Sequence, residues 1–220
     1  MNKAFIFDMD GVIIDSEAVW GKYEQDFLIN LVGQKIVDKI KDQLLGSTTY
    51  VIYDLVKKYG GTISKEKFLR EYDNQAMKIY AMSTPTNDIN KLLRKLSDLG
   101  FKIGLVTASH ANWIDEVLKK IRNRDLFEYT LSLADRTDLQ TKPAPDGYLE
   151  AMKVLGSTPE KTIILEDSNK GIAAAKASGA FTICLREHLA NDYQSVGADM
   201  YIENLKTLLT FLDEINDKYE

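Results

Sequence analysis

The chain has one cysteine, Cys184, in 220 residues, so no internal disulfide can form, which fits a reducing cytoplasm. Cys184 lies in the apolar run 181–185 and reads as core packing. Two histidines, His110 and His188, are too few for a histidine-based metal cluster, and no His-x-x-x-His pair occurs. His188 sits among polar residues and reads as solvated. No apolar stretch approaches the length of a membrane span. No run of like charge forms a tail, and a net charge of −5 argues against nucleic acid as a partner. The apolar run at 4–7 is too short for a leader peptide and ends in acid. No internal repeat or low-complexity segment appears.

What is present begins at that same run. Ala4 to Phe7 read as a buried strand leading directly into Asp8, Asp10 and Gly11. If strand geometry persists past Phe7, the two carboxylates face the same side. Carboxylates held that close repel, and the pair calls for a cation or a shared proton. Helix capping by one Asp is the competing reading.

Further strand-like runs fall at 102–106, 130–133, 162–165, 182–185 and 200–202, separated by helical patterns at 87–99, 111–122, 146–155, 169–178 and 205–218. This alternation predicts an α/β fold, a doubly wound parallel-sheet core of the Rossmann-like kind. Residues 16–82 break the rhythm and read as successive helices, with Val51, Ile52, Leu55 and Val56 at helical spacing. The expected organisation is a core of 1–15 and 83–220, with 16–82 as an inserted α-helical cap. Rooted beside Asp8 and Asp10, that insertion could close over the site and exclude water.

Three more strand ends carry chemistry. Thr107-Ala108-Ser109 offers hydroxyls and backbone N–H groups before a helix, suited either to an anion or to capping. Lys142-Pro143-Ala144-Pro145-Asp146 holds a lysine in a stiffened loop, with Asp146 placed to cap the next helix. Glu166-Asp167-Ser168 repeats the acid pair after a second buried strand, where a hard cation finds oxygen ligands. All four tips lie at the carboxyl ends of core strands and so converge on one crevice.

Together these motifs resemble the haloacid dehalogenase superfamily, in its phosphatase branch. Asp8-Met9-Asp10-Gly11 is similar to its first motif, Thr107 to the second, Lys142-Pro143 to the third and Glu166-Asp167 to the fourth. Ser16-Glu17, Pro145-Asp146 and the stretch 168–171 look like the sugar-phosphatase and β-phosphoglucomutase-like subgroup. Two positions depart from the pattern: Ala108 where Asn is usual, and Thr141 where Gly or Ser often stands.

The resemblance implies Asp8 as the nucleophile forming an aspartyl-phosphate, and Asp10 as the acid and then the base. Mg²⁺ would be held by Asp8, the backbone carbonyl of Asp10 and Asp167, with Glu166 binding or orienting that shell. Thr107, the Ala108 amide and Lys142 would hold the phosphoryl oxygens. Asp15, Glu17, Trp20, Gly46, Ser47 and Thr48 are the candidates for substrate contact from the cap, with packing as the alternative for Trp20. The expected partner is a small phosphorylated metabolite, a sugar or polyol phosphate, and the expected state is a monomer. Close mutase relatives carry His at the position of Trp20, which leans toward hydrolysis. A phosphate-binding or receiver-like protein is the reading of another class. Receivers have no place for the helical insertion, and no Gly-x-Gly-x-x-Gly follows the first strand.

Overall fold

The computed structural model describes residues 1–44, 47–189 and 193–219. In chain order the elements are β1 (Ala4–Phe7), β2 (Ile14–Asp15), α1 (Glu17–Val32), α2 (Gln34–Ile40), α3 (Thr49–Lys58), α4 (Lys65–Met82), β3 (Thr84–Pro85), α5 (Ile89–Asp98), β4 (Lys102–Thr107), α6 (Ala111–Leu118), β5 (Phe127–Ser132), α7 (Asp146–Leu155), β6 (Thr162–Glu166), α8 (Asn169–Ala177), β7 (Phe181–Leu185), β8 (Met200–Ile202) and α9 (Leu205–Asp217). Six strands form one parallel sheet in the order β5-β4-β1-β6-β7-β8. Strand order reverses at β1, and this switch point opens a crevice at the carboxyl ends of the strands.

The apolar run of β1 serves both faces of the sheet because successive side chains alternate. Phe5 and Phe7 enter one cluster with Leu92, Leu96, Leu208 and Leu212. Ala4 and Ile6 enter the other with Tyr148, Ala151, Met152 and Ala174. All four are fully buried, and each large side chain contributes roughly 1.5–3 kcal/mol by leaving water.

The stretch expected to be helical holds α1 to α4. Thr48 caps α3 by accepting from Val51 N (3.4 Å), and Ser64 caps α4 by accepting from Lys67 N (3.3 Å). Phe68, Tyr72, Ala76, Ile79 and Tyr80 bury one face of α4 at helical spacing. Phe68, Tyr72, Ala76 and Tyr80 of that face join the same cluster as Phe5 and Phe7, so the helices pack on the core.

Several bounds shift from the sequence expectation, and one strand pair is additional to it. β5 starts at Phe127, which pairs with Ile103 of β4 and whose ring meets Phe7 edge-on at 6.0 Å. α6 ends at Leu118, and Ile121 beyond it is buried. The antiparallel pair β2–β3, Ile14 with Pro85 and Asp15 with Thr84, ties the two ends of the helical segment together. Two residues per strand are too short for a periodic signal. Among the described residues no helix is long and apolar enough to cross a membrane.

Candidate active site

Asp8 follows the last residue of β1, its backbone N–H donating to Leu165 O (2.9 Å) on the neighbouring strand. Lys142 Nζ donates to Asp8 Oδ1 at 2.5 Å and to Glu166 Oε1 at 2.6 Å. The Lys142–Pro143 peptide is cis. Tyr148 on α7 also donates its hydroxyl to Glu166 Oε1 (2.5 Å), while Glu166 Oε2 accepts from Asp167 N (3.1 Å) and from Ser168. Both Glu166 oxygens are thus engaged, and a Cβ on Gly171 would lie 1.9 Å from Oε1. Glycine is needed there to let α8 pass so close.

One oxygen from each of Asp8, Glu166 and Asp167 lies within 4.8 Å of the others. Asp167 is buried. Its Oδ2 packs against Gly11 (φ +71°), where a Cβ would sit 2.0 Å away. A buried cluster of carboxylates is costly unless a cation joins it. Burial pushes Asp8 up to about 8, ahead of the opposing pull of Lys142, with Glu166 and Asp10 adding to the rise. Burial and the charges of Asp8 and Glu166 likewise push Asp167 well above the usual carboxylate range. Lys142 stays protonated, since its two carboxylate partners overcome its burial. Ionised together, the three carboxylates would outnumber the one ammonium, and the donor set fits a hard divalent cation. Glu166, with its lone pairs taken, is better suited to aiming Lys142 than to ligating metal.

Asp10 belongs to a second network. Strand geometry stops at Phe7, and past it the Asp10 carboxyl sits among hydroxyls, near enough to Asp8 for its charge to act there. Its Oδ1 accepts from Ser16 Oγ (2.6 Å) and the Tyr80 hydroxyl (2.9 Å), and its Oδ2 from Ser109 Oγ (2.7 Å). Thr107 is buried, and its Oγ1 accepts from Ser109 N (3.1 Å), leaving its own hydrogen free to donate. Ala108 is half-buried beside it.

The family model for haloacid dehalogenase-like hydrolases matches residues 5–185, from β1 through β7. The chain belongs to that family. Curated relatives include hexitol phosphatase B of Escherichia coli (strain K12), 29% identical over 210 residues and covering 93% of each chain. The mitochondrial (DL)-glycerol-3-phosphatase 1 of Arabidopsis thaliana is 28% identical over 211 residues, 91% of this chain and 69% of the relative. Among solved structures, a β-phosphoglucomutase from Clostridium difficile superposes with TM-score 0.76 at 24% identity, covering 100% and 99% of the two chains. At that identity the likeness speaks for the fold alone.

In this haloacid dehalogenase-like hydrolase the capping alternatives fail at each strand tip. α8 is capped by Ser168, which accepts from Gly171 N (3.0 Å), and not by Glu166 or Asp167. His110, rather than Thr107 or Ser109, holds the N-cap position of α6. Asp146 does not cap α7; Pro145 holds that place, and Asp146 Oδ2 accepts from Gln140 N (2.9 Å).

The residues expected from the helical segment are dispersed. Glu17 lies near enough to Asp167 for its charge to act there, and its own carboxyl is pushed up to about 7 by burial and by the charges of Asp10, Glu24 and Asp15. Trp20 stacks on Tyr72 at 5.5 Å and meets Tyr80 edge-on, as a packing residue would. Thr48 is spent on capping α3, and Ser47 Oγ donates to Gln43 O (2.6 Å). Gly46 lies outside the described residues. Asp15 turns toward His188, with Oδ2 3.5 Å from Nδ1, and its Oδ1 is buried without a partner among the described residues. His188 is therefore not solvated: its other nitrogen lies 3.0 Å from Thr86 Oγ1, so it touches both β2 and the end of β3.

Sequence reasoning passed over Tyr80, Tyr148 and the role of Ser109 in holding Asp10. A signal existed for the two tyrosines, since each lies on the apolar face of its helix, where a hydroxyl must find a buried partner. Between α3, α4 and the start of α6 lies a cavity of about 270 Å³ lined by Tyr50, Arg70, Asp73, His110 and Trp113 among others.

Proposed function

We propose that this hydrolase is a Mg²⁺-dependent phosphomonoesterase that acts on a small sugar or polyol phosphate through an aspartyl-phosphate on Asp8. The observation that carries the reading is a buried Asp8 paired with the Lys142 ammonium, with one of its oxygens within 4.8 Å of the Asp167 carboxylate. A nucleophilic carboxylate has to be ionised, and burial works against that here. A divalent cation between Asp8 and Asp167 would restore the charge and neutralise phosphoryl oxygens.

Asp8 attacks phosphorus while the bond to the leaving oxygen breaks, and Asp10 gives that oxygen a proton. Water then attacks the aspartyl-phosphate, Asp10 takes its proton, and phosphate leaves with Asp8 restored. The Thr107 hydroxyl, the Ala108 amide and Lys142 hold the phosphoryl oxygens, and Glu166 with Tyr148 fixes the lysine. Such transfers rest mostly on positioning and charge neutralisation. The helical segment serves as the cap, with Glu17 as its polar contact to a hydroxyl-rich substrate. Relatives named for hexitol and glycerol phosphates support a polyol or sugar substrate. The buried, unpaired Cys184 is in keeping with a cytoplasmic setting.

The mutase reading is disfavoured by Trp20, which is locked in aromatic packing and cannot relay a proton. The deciding experiment is phosphate release from glycerol, hexitol and sugar phosphates, with Mg²⁺ and with a chelator. Metal-dependent release from at least one supports the reading. Glucose 6-phosphate formed from β-glucose 1-phosphate without free phosphate would favour the mutase. Binding without any turnover would leave a phosphate-binding protein.

A further inference from the structure

A carboxyl that must serve a leaving oxygen needs a fixed aim, because small misplacements cost large factors in rate. We propose that Tyr80 is the positioning residue for Asp10, holding its carboxyl through a closed ring of hydroxyls and coupling it to the base of the helical segment. The inference rests on the phosphatase reading above.

Tyr80 lies in the last turn of α4 and is 1% exposed. Its hydroxyl donates to Asp10 Oδ1 at 2.9 Å and lies 3.2 Å from Ser109 Oγ. Ser109 in turn donates to Asp10 Oδ2 at 2.7 Å, closing a triangle. The ring of Tyr80 is gripped by Trp113 (centroids 5.7 Å) and the edge of Trp20 (6.4 Å). A phenylalanine would satisfy that apolar grip, so the hydroxyl answers to Asp10 and Ser109. Burial, then the charge of Asp10, pushes the phenol well above its ordinary range and keeps it a donor.

The backbone beneath Tyr80 is fixed from the core. Lys120 Nζ, just past α6, donates to the carbonyl oxygens of Tyr80 (2.6 Å), Ala81 (2.7 Å) and Ser83 (2.7 Å). A cation at a helix C-terminus suits both its free carbonyls and its dipole. Lys120 therefore pins the end of α4, and Tyr80 carries that fixed point to Asp10.

A general acid matters most for poor leaving groups, which gives a test that a merely structural role would not pass. Single-turnover formation of the phosphoenzyme, the half-reaction in which Asp10 acts as the acid, is compared for glycerol phosphate, with an alcohol leaving group, and para-nitrophenyl phosphate, whose leaving group needs no proton. Tyr80→Phe should lower that rate on glycerol phosphate by about tenfold or more, out of the 10²–10⁴ a general acid supplies, and change it on the aryl phosphate by less than about threefold. KM should stay within about twofold for both. Ser109→Ala should give the same selective loss, and serves if Tyr80→Phe fails to fold. An equal loss on both substrates, or a wild-type ratio, overturns the inference. Asp10→Asn separates the two layers: wild-type alcohol-ester turnover in that variant would sink the phosphatase mechanism itself. Its inactivity beside an unaffected Tyr80→Phe would sink only the role given to Tyr80.

Discussion

Replacing glycine by alanine inside a helix ordinarily stabilises it by about 0.5–1 kcal/mol. Gly21 and Gly171 should split on this rule. Gly21 lies within α1, is exposed, and a Cβ there would meet nothing within 4 Å. Gly21→Ala should raise the melting temperature by about 1–4 °C in a chain of this size. Gly171 lies in α8, where the new Cβ would fall 1.9 Å from Glu166 Oε1 and 2.0 Å from its Cδ. A flexible carboxylate could swing aside cheaply, but Glu166 is fully buried and held by Lys142, Tyr148 and the amide of Asp167. Displacing it adds overpacking, about 1–3 kcal/mol, to the loss of a charged hydrogen bond, about 1.5–3 kcal/mol. Set against the ordinary helix gain, the net loss for Gly171→Ala is about 2–5 kcal/mol. The melting temperature should fall by roughly 4–20 °C, and turnover should fall with it because Lys142 loses its anchor. Calorimetry on both variants in the presence of a chelator is the assay. A Gly171→Ala protein as stable as Gly21→Ala would refute the view that Glu166 is rigidly held.

Three further outcomes follow from the charges. Lys142→Met leaves Asp8 and Glu166 without their shared counter-charge; chemical denaturation should show a loss of about 3–5 kcal/mol, and phosphate release should vanish. Mg²⁺ at a hundredfold its Kd should stabilise the wild type by about 2.7 kcal/mol, and Asp167→Asn should lose most of that increment in a metal-titrated melting series. Glu17, raised from 4.5 to about 7, lends the fold stability that is fully present below pH 4.5 and lost as pH rises through 7. Glu17→Gln should therefore match the wild type near pH 4.5 and exceed it at pH 8, by up to about 3 kcal/mol; equal melting temperatures at pH 8 would count against the buried charge.

The strand tips were legible because each is a local pattern, an apolar run ending in polar residues, and a parallel sheet with a switch point brings such ends together. Asp8, Lys142, Glu166 and Asp167 meet as that logic required. Asp10 shows where strand alternation stops informing: β1 ends at Phe7, Gly11 turns the chain, and Asp10 gains hydroxyl partners that alternation does not predict. Those partners come from residues 16, 80 and 109, and no local pattern joins positions so far apart in the chain. Tyr148 and Tyr80 looked like ordinary apolar-face residues, since periodicity ranks a tyrosine by its ring and not its hydroxyl. His188 looked solvated because its neighbours in sequence are polar, yet Asp15 and Thr86, distant in sequence, enclose it. Asp146 had the composition of a cap, but Pro145 took that position and the carboxylate closed the preceding loop.

The central claim is that Asp8 accepts the phosphoryl group. Acid quenching during steady turnover of a glycerol or hexitol phosphate with Mg²⁺, followed by peptide mass spectrometry, tests it most directly. The account predicts a phosphoryl group on the peptide spanning β1 and Asp8, absent from Asp8→Asn and absent when the metal is chelated. Brisk phosphate release with that peptide unmodified throughout, or with Asp8→Asn as active as the wild type, would contradict it.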